Sequence, residues 1–122
     1  MADDLTANYK KAYDNKIGYG QKPALILVDF VEAYFDPACD LYADVEENLQ
    51  SALRVRDVAR KAGIPVIYTN VVYHPSGVNG GRFFQKAKPL VNMTEGNPMG
   101  AWPKGLVPDP SELVISKQYP SA

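Results

Sequence analysis

Apolar runs, a helical stripe and an irregular stretch follow one another along this chain, and together they predict an α/β order. Residues 24–28 (Ala, Leu, Ile, Leu, Val) form a short, uninterrupted apolar run. A run of that kind fits a strand buried on both faces of a parallel sheet, because a half-exposed strand would alternate. From Asp44 onward, Val45, Leu49, Ala52, Leu53, Val58, Ala59 and Ala62 recur at helical spacing and make one apolar stripe. Asp44, with Glu47 three positions later, reads as a capping box at the start of that helix. Gly63 stands where a helix ends in a left-handed residue. Residues 64–69 follow directly as a second strand, with Pro65 tolerated only near its beginning. The strand, helix and strand make a βαβ unit whose crossover is expected to be right-handed, so both strands end on one edge of the sheet.

The flanking segments are less regular. Residues 7–16 have the pattern of a short amphipathic helix, and Gly18, Gly20 and Pro23 then punctuate a turn into the first strand. Between residues 70 and 110, six glycines (Gly77, Gly80, Gly81, Gly96, Gly100 and Gly105) and several prolines interrupt any periodicity. One short helix is predicted there, over residues 81–88. An excursion of this length inside a domain reads as a functional loop or lid, or as an oligomer contact. Residues 112–116 form a third strand. Three parallel strands with one crossover helix do not complete a sheet that must be covered on both faces. The expectation is the N-terminal portion of a single larger domain, with residues 1–22 as an arm and residues 23–122 as the first half of an α/β core. Completion by another chain is the alternative.

Composition narrows the function classes. The 122 residues are 46% hydrophobic, enough for one domain with a real core. A net charge of −1 with interspersed signs gives no basic run for a nucleic-acid backbone. The acidic N-terminus lacks an apolar signal segment and no window approaches 18 apolar residues, so a cytoplasmic protein with no membrane partner is expected. Single residues of cysteine, Cys39, and histidine, His74, exclude an intrachain disulfide framework and a His/Cys metal cluster. No cofactor is indicated.

Two ionisable residues stand where apolar strands end. Asp29 closes the first run and Lys117 closes the third. Ligands of open α/β sheets bind just beyond the carboxyl ends of the strands, so a carboxylate and an ammonium there read as a site. Asp29 can act as a general base, or simply anchor a loop. Lys117 can stabilise developing negative charge, or be a solvated lysine. Cys39 reads as an ordinary loop cysteine, since the helix start nearest to it carries the opposing carboxylate of Asp44. His74, after the second strand, reads as a loop or substrate-contact residue. Phe30, Tyr34, Phe35, Tyr73 and Trp102 leave these strands as core packing or as pocket walls. Tyr34, Phe35, His74 and Trp102 are taken as candidate substrate contacts.

The stretch from Ile17 through Asp29 to Phe30, with Ala33 and Tyr34 following, resembles the isochorismatase-like cysteine hydrolase family. So do residues 63–69 (GIPVIYT) and 113–122 (LVISKQYPSA). The similarity is greatest to the branch of N-carbamoylsarcosine amidase and maleamate amidohydrolase, which has a similar N-terminal arm. The resemblance implies a three-layer α/β/α, Rossmann-like parallel sheet of which this chain carries the first three strands. It also implies a triad of aspartate, lysine and cysteine, with Asp29 and Lys117 matching the first two members. The cysteine of such a triad lies in a later strand-to-helix turn, beyond Ala122, and Cys39 does not occupy its position. The implied reaction is cleavage of a C–N bond in a small carbamoyl or amide substrate through a thioester, within a homo-oligomer (a dimer or tetramer). On its own the 122-residue chain is expected to be inactive. Many relatives carry Gln-Asn two and three residues after the aspartate. Val31 and Glu32 stand there instead, which favours the carbamoylsarcosine-like branch. Nicotinamidases of the family hold a metal through several histidines after the second strand, and only His74 remains of such a set. Vinyl-ether hydrolysis of the isochorismatase type, and a non-catalytic binding or assembly module, are the alternative functions.

Overall fold

The three apolar runs form three parallel strands. In the computed structural model, which describes the backbone from Ala2 and the side chains from Leu5, β1 (Leu25–Val28), β2 (Val66–Val71) and β3 (Leu113–Lys117) make one sheet in the order β1-β2-β3. Val28 pairs with Thr69, and Val71 with Lys117. All three strands therefore end on the same edge. Pro65 precedes β2, where it keeps a ladder role through its carbonyl, which accepts from the Leu25 N–H at 2.9 Å.

The crossover helix α2 (Glu46–Lys61) buries Leu49, Ala52 and Ala59. These side chains join Leu27, Val66, Tyr68 and Leu106 in one hydrophobic cluster on one face of the sheet. The helix ends as its glycine predicts. Gly63 has φ +67°, its N–H donates to the Arg60 carbonyl at 3.2 Å, and the Ile64 N–H reaches the Ala59 carbonyl at 2.9 Å, which together close a Schellman motif. The expected capping box is absent from the other end. Val45 is the N-cap, without a side-chain bond, and Asp44 has φ +54°. That left-handed turn directs the Asp44 carboxylate to the Tyr42 hydroxyl at 2.9 Å. Glu46 and Glu47 in the first turn complement the positive end of the helix instead.

Within this chain the first strand is covered on one face. Ile26 is 55% and Val28 58% exposed, because α2 packs on the face of Leu25 and Leu27 and the two-residue repeat sends Ile26 and Val28 to the other. Leu113 and Ile115 share that apolar, exposed face. Helix α1 (Ala2–Ala12) begins and ends earlier than the predicted span 7–16. Lys10 and Lys11 suit its carboxyl end, and Asp14 and Asn15, poor interior residues, follow it. From Leu5 to Lys22 the arm is exposed throughout. Among the described residues no helix is long and apolar enough to cross a membrane.

The glycine-rich stretch is docked rather than free. Helix α3 (Gly81–Lys86) stops two residues short of the predicted Lys88, because Ala87 leaves helical geometry, with ψ 78°, before Lys88 and Pro89 open a new turn. A 3₁₀ turn, Lys88–Met93, continues the chain. Leu90 and Met93 then pack with Val31, Ala33 and Tyr73 in a second buried cluster. Backbone bonds join Tyr73 to Met93 at 3.0 Å and to Glu95 at 2.9 Å.

A polar clamp precedes β3. Arg60 of α2 donates to both carboxylate oxygens of Glu112, at 2.5 and 3.1 Å, and the Tyr68 hydroxyl donates to the same group at 3.2 Å. The Arg60 hydrogen bonds hold the Glu112 carboxyl below its ordinary value of 4.5. A carboxyl lowered in the folded state adds stability above the unfolded value, and that contribution is lost as pH falls through the folded one. Glu112→Gln should therefore be less stable than the parent at neutral pH, and the difference should close as pH falls below about 4.5, through the lowered folded value. Chemical denaturation across that range checks it; parallel stability curves for the two proteins would rule the clamp out as a contributor.

Candidate active site

At the common edge of the strands, Lys117 donates from Nζ to Asp29 Oδ2 at 2.7 Å, across 88 residues of sequence. The lysine side chain is 6% exposed and the aspartate 24%. A second bond from Nζ goes to the Tyr119 carbonyl at 3.2 Å. Strand geometry explains the meeting only in part. Lys117 lies on the sheet face shared by Val28, Thr69 and Val71, and regular alternation would turn Asp29 to the opposite face. Asp29 has φ +59° instead. That left-handed residue ends β1 and returns its carboxylate toward the lysine. Such a conformation is uncommon for a non-glycine residue, although aspartate tolerates it better than most.

Thr69 completes the anchoring. Its hydroxyl donates to Asp29 Oδ1 at 2.7 Å, and both its Oγ1 and its carbonyl accept from the Asp29 N–H, at 3.2 and 3.0 Å. Each carboxylate oxygen thus has one internal donor: Thr69 on Oδ1 and Lys117 on Oδ2. Thr69 was not among the residues expected at the site. Its signal was its place, a polar β-branched residue closing the apolar run 64–69 on the strand beside Asp29.

A cleft of about 360 Å³ opens beside the carboxylate, lined by Val28, Asp29, Phe30, Tyr34, Phe35, Val45 and Asn48. Phe30 and Phe35 stack with centroids 6.3 Å apart. Burial raises the Tyr34 phenol above its ordinary value, and the nearby charge of Asp29 adds to the effect. Tyr34 and Phe35 therefore stand with Asp29, as their position in the chain suggested, and Asn48 and Val45 of the α2 start join them. His74 and Trp102 are not among the lining residues. The exposed His74 ring binds within its own loop, where Nδ1 accepts from the Ser76 N–H at 3.1 Å and lies 2.7 Å from Ser76 Oγ. Trp102 packs edge-on against Tyr68, with centroids 5.5 Å apart, at the margin of the core. Cys39 packs against the cluster of Val31, Ala33 and Tyr73 and does not line the cleft. Among the described residues, no group of three or more His, Cys, Asp and Glu is arranged to hold a metal ion.

The edge thus offers a carboxylate that can accept a proton, a buried ammonium that can steady negative charge, and an adjoining cleft with mostly apolar walls. Comparison with known proteins agrees with this architecture. A family model described as the isochorismatase domain matches residues 23–122, and the chain belongs to that family. It is 38% identical over 126 aligned positions to a maleamate amidohydrolase of Pseudomonas putida, an alignment spanning 100% of this chain and 59% of that protein. It is 28% identical to an N-carbamoylsarcosine amidase of an Arthrobacter species, over 93% of this chain and 45% of that protein. The chain thus spans about half the length of these relatives. A cysteine hydrolase of Pseudomonas syringae shares the fold, with a TM-score of 0.65 at 24% identity over 79% of this chain and 46% of that one.

The unequal burial of the two charges makes a stability prediction. Asp29→Ala strands a buried ammonium and should cost about 3 kcal/mol or more. Lys117→Met leaves a carboxylate that still has Thr69 and some water, and should cost less. The double variant should be more stable than Asp29→Ala alone. Denaturant titration of the three proteins measures this; additive losses would show that the pair is not energetically coupled.

Proposed function

We propose that this chain contributes the base and the ammonium of a cysteine-dependent amidohydrolase that cleaves a C–N bond in a small amide or carbamoyl substrate. The observation that carries the proposal is the 2.7 Å contact between Lys117 and Asp29 at the carboxyl edge of the sheet, in a chain similar to two proteins named as amidase and amidohydrolase. The thiol is assigned to residues outside this chain, since Cys39 packs elsewhere.

In this reading Asp29 accepts the thiol proton and the thiolate attacks the carbonyl carbon of the substrate. The carbonyl π electrons move to oxygen, which now carries the negative charge while Asp29 is neutral and the sulfur is bonded to carbon; Lys117 steadies the thiolate before the attack. Collapse of the tetrahedral intermediate expels the amine, which takes the proton back from Asp29 and leaves a thioester. Asp29 then deprotonates water for attack on the thioester, and the carboxylic acid and the thiol are released. Phe30, Phe35 and Val45 wall a space suited to a small substrate with an apolar body. Tyr34 and Asn48 offer it hydrogen bonds. The exposed apolar residues of the arm, among them Leu5, Tyr9 and Tyr13, support a contact between copies in a homo-oligomer.

The test uses the protein produced from its whole gene, assayed for ammonia release from maleamate and from N-carbamoyl amino acids. Asp29→Asn should lower kcat/KM by about 10²- to 10⁴-fold, the usual worth of a positioned general base. A variant with full activity would remove Asp29 from the mechanism and the reading with it.

A further inference from the structure

Thr69 is 7% exposed, and its hydroxyl is committed on both sides. An amide N–H can only donate, so the Asp29 N–H at 3.2 Å fixes Oγ1 as an acceptor in that direction. The hydroxyl has a single proton, and it is left to point at Asp29 Oδ1, 2.7 Å away. Thr69 is thereby a dedicated donor to this carboxylate and has no proton to offer a substrate.

We infer that Thr69 is a positioning residue that orients the Asp29 carboxylate and sets its readiness to take a proton. The inference rests on the reading of Asp29 as the base. Two things follow from the geometry. The paired bonds to the backbone N–H and to Oδ1 hold one residue at both its amide and its carboxylate, and so fix the left-handed turn and the plane of the carboxylate together. A hydrogen bond donated to the ionised form also favours that form over the neutral acid. Lys117 supplies charge to Oδ2, and Thr69 supplies direction to Oδ1. The cleft therefore meets a carboxylate whose rotation is restricted on both oxygens.

Thr69→Val keeps the branched shape that suits a buried strand and removes only the hydroxyl. Thr69→Ser keeps the hydroxyl and removes a methyl. The Asp29 carboxyl carbon, followed by NMR against pH in the whole protein, should titrate about one pH unit higher in Thr69→Val than in the parent, while Thr69→Ser stays close to the parent. The acid limb of the kcat profile should move in the same direction, with KM less affected. A hydroxyl that mattered only for packing would leave both readouts where they were in Thr69→Val, and that result would overturn the inference. Thr69→Ala gives the same comparison should the valine variant fail to fold. The NMR arm needs no turnover. A protein that hydrolyses no amide but shows the shift would retire the proposed reaction and keep the role of Thr69; one that hydrolyses amides without the shift would do the opposite.

Discussion

An ammonium group withdrawn almost completely from water must find acceptors within hydrogen-bond reach, and the arrangement of this sheet edge is the answer to that requirement for Lys117. Desolvating a lysine costs several kcal/mol unless a countercharge and further acceptors replace its hydration. Asp29 Oδ2 and the Tyr119 carbonyl supply them. Neither position is explained by strand geometry alone. Asp29 must abandon the extended conformation to reach the lysine, and the strain of doing so is offset by the bonds that Thr69 makes to it. Three strands are therefore tied together at their ends by three side chains, one from each.

The same ties give the edge its chemical character. A carboxylate exposed to water exchanges protons with solvent and has no fixed direction. Here one oxygen is held by a hydroxyl and the other by an ammonium, with the phenol of Tyr34 close enough to feel the charge. What is left for a ligand is a group of known direction beside a cleft with aromatic walls. Pre-organisation of this kind lets a few side chains act without reorganising as charge develops.

How much of this was legible in the sequence depended on whether a signal was local. Gly63 is legible because a helix end needs a left-handed residue and glycine meets that need without cost. Asp29 and Lys117 are legible because a charge that closes an apolar run is rare in a buried strand. Thr69 is hidden for the opposite reason: threonine is an ordinary strand residue, and its partner is 40 positions away. The capping box failed because Asp44 met a competing local partner, the Tyr42 hydroxyl. Residues 24–28 have the uniform apolarity of a strand covered on both faces, and within this chain α2 covers one of them. Apolarity reports only that a residue can be buried, and which face is covered depends on where α2 packs. Trp102 and His74 lie in segments that leave the strands and do not line this cleft. The aromatic area of the first is used to cover Tyr68, and the second is held by its own loop.

The placement of Lys117 depends, finally, on the far end of its own strand. Within this chain, residues Leu113 to Ser116 of β3 are all exposed, so the 122 residues themselves hold this strand in register with little hydrophobic burial. Register in a parallel pair is weakly specified where neither face is buried, and a slip of one residue would exchange the faces. Lys117 would then point away from Asp29. Two polar attachments prevent the slip. Glu112, the residue before the strand, is gripped by Arg60 of α2 and by Tyr68 of β2. Lys117, the last residue, is gripped by Asp29. Because the two grips differ in partner and in geometry, one register satisfies both. The Arg60 clamp, remote from the cleft and made of common surface residue types, is thus part of what brings the ammonium to the carboxylate.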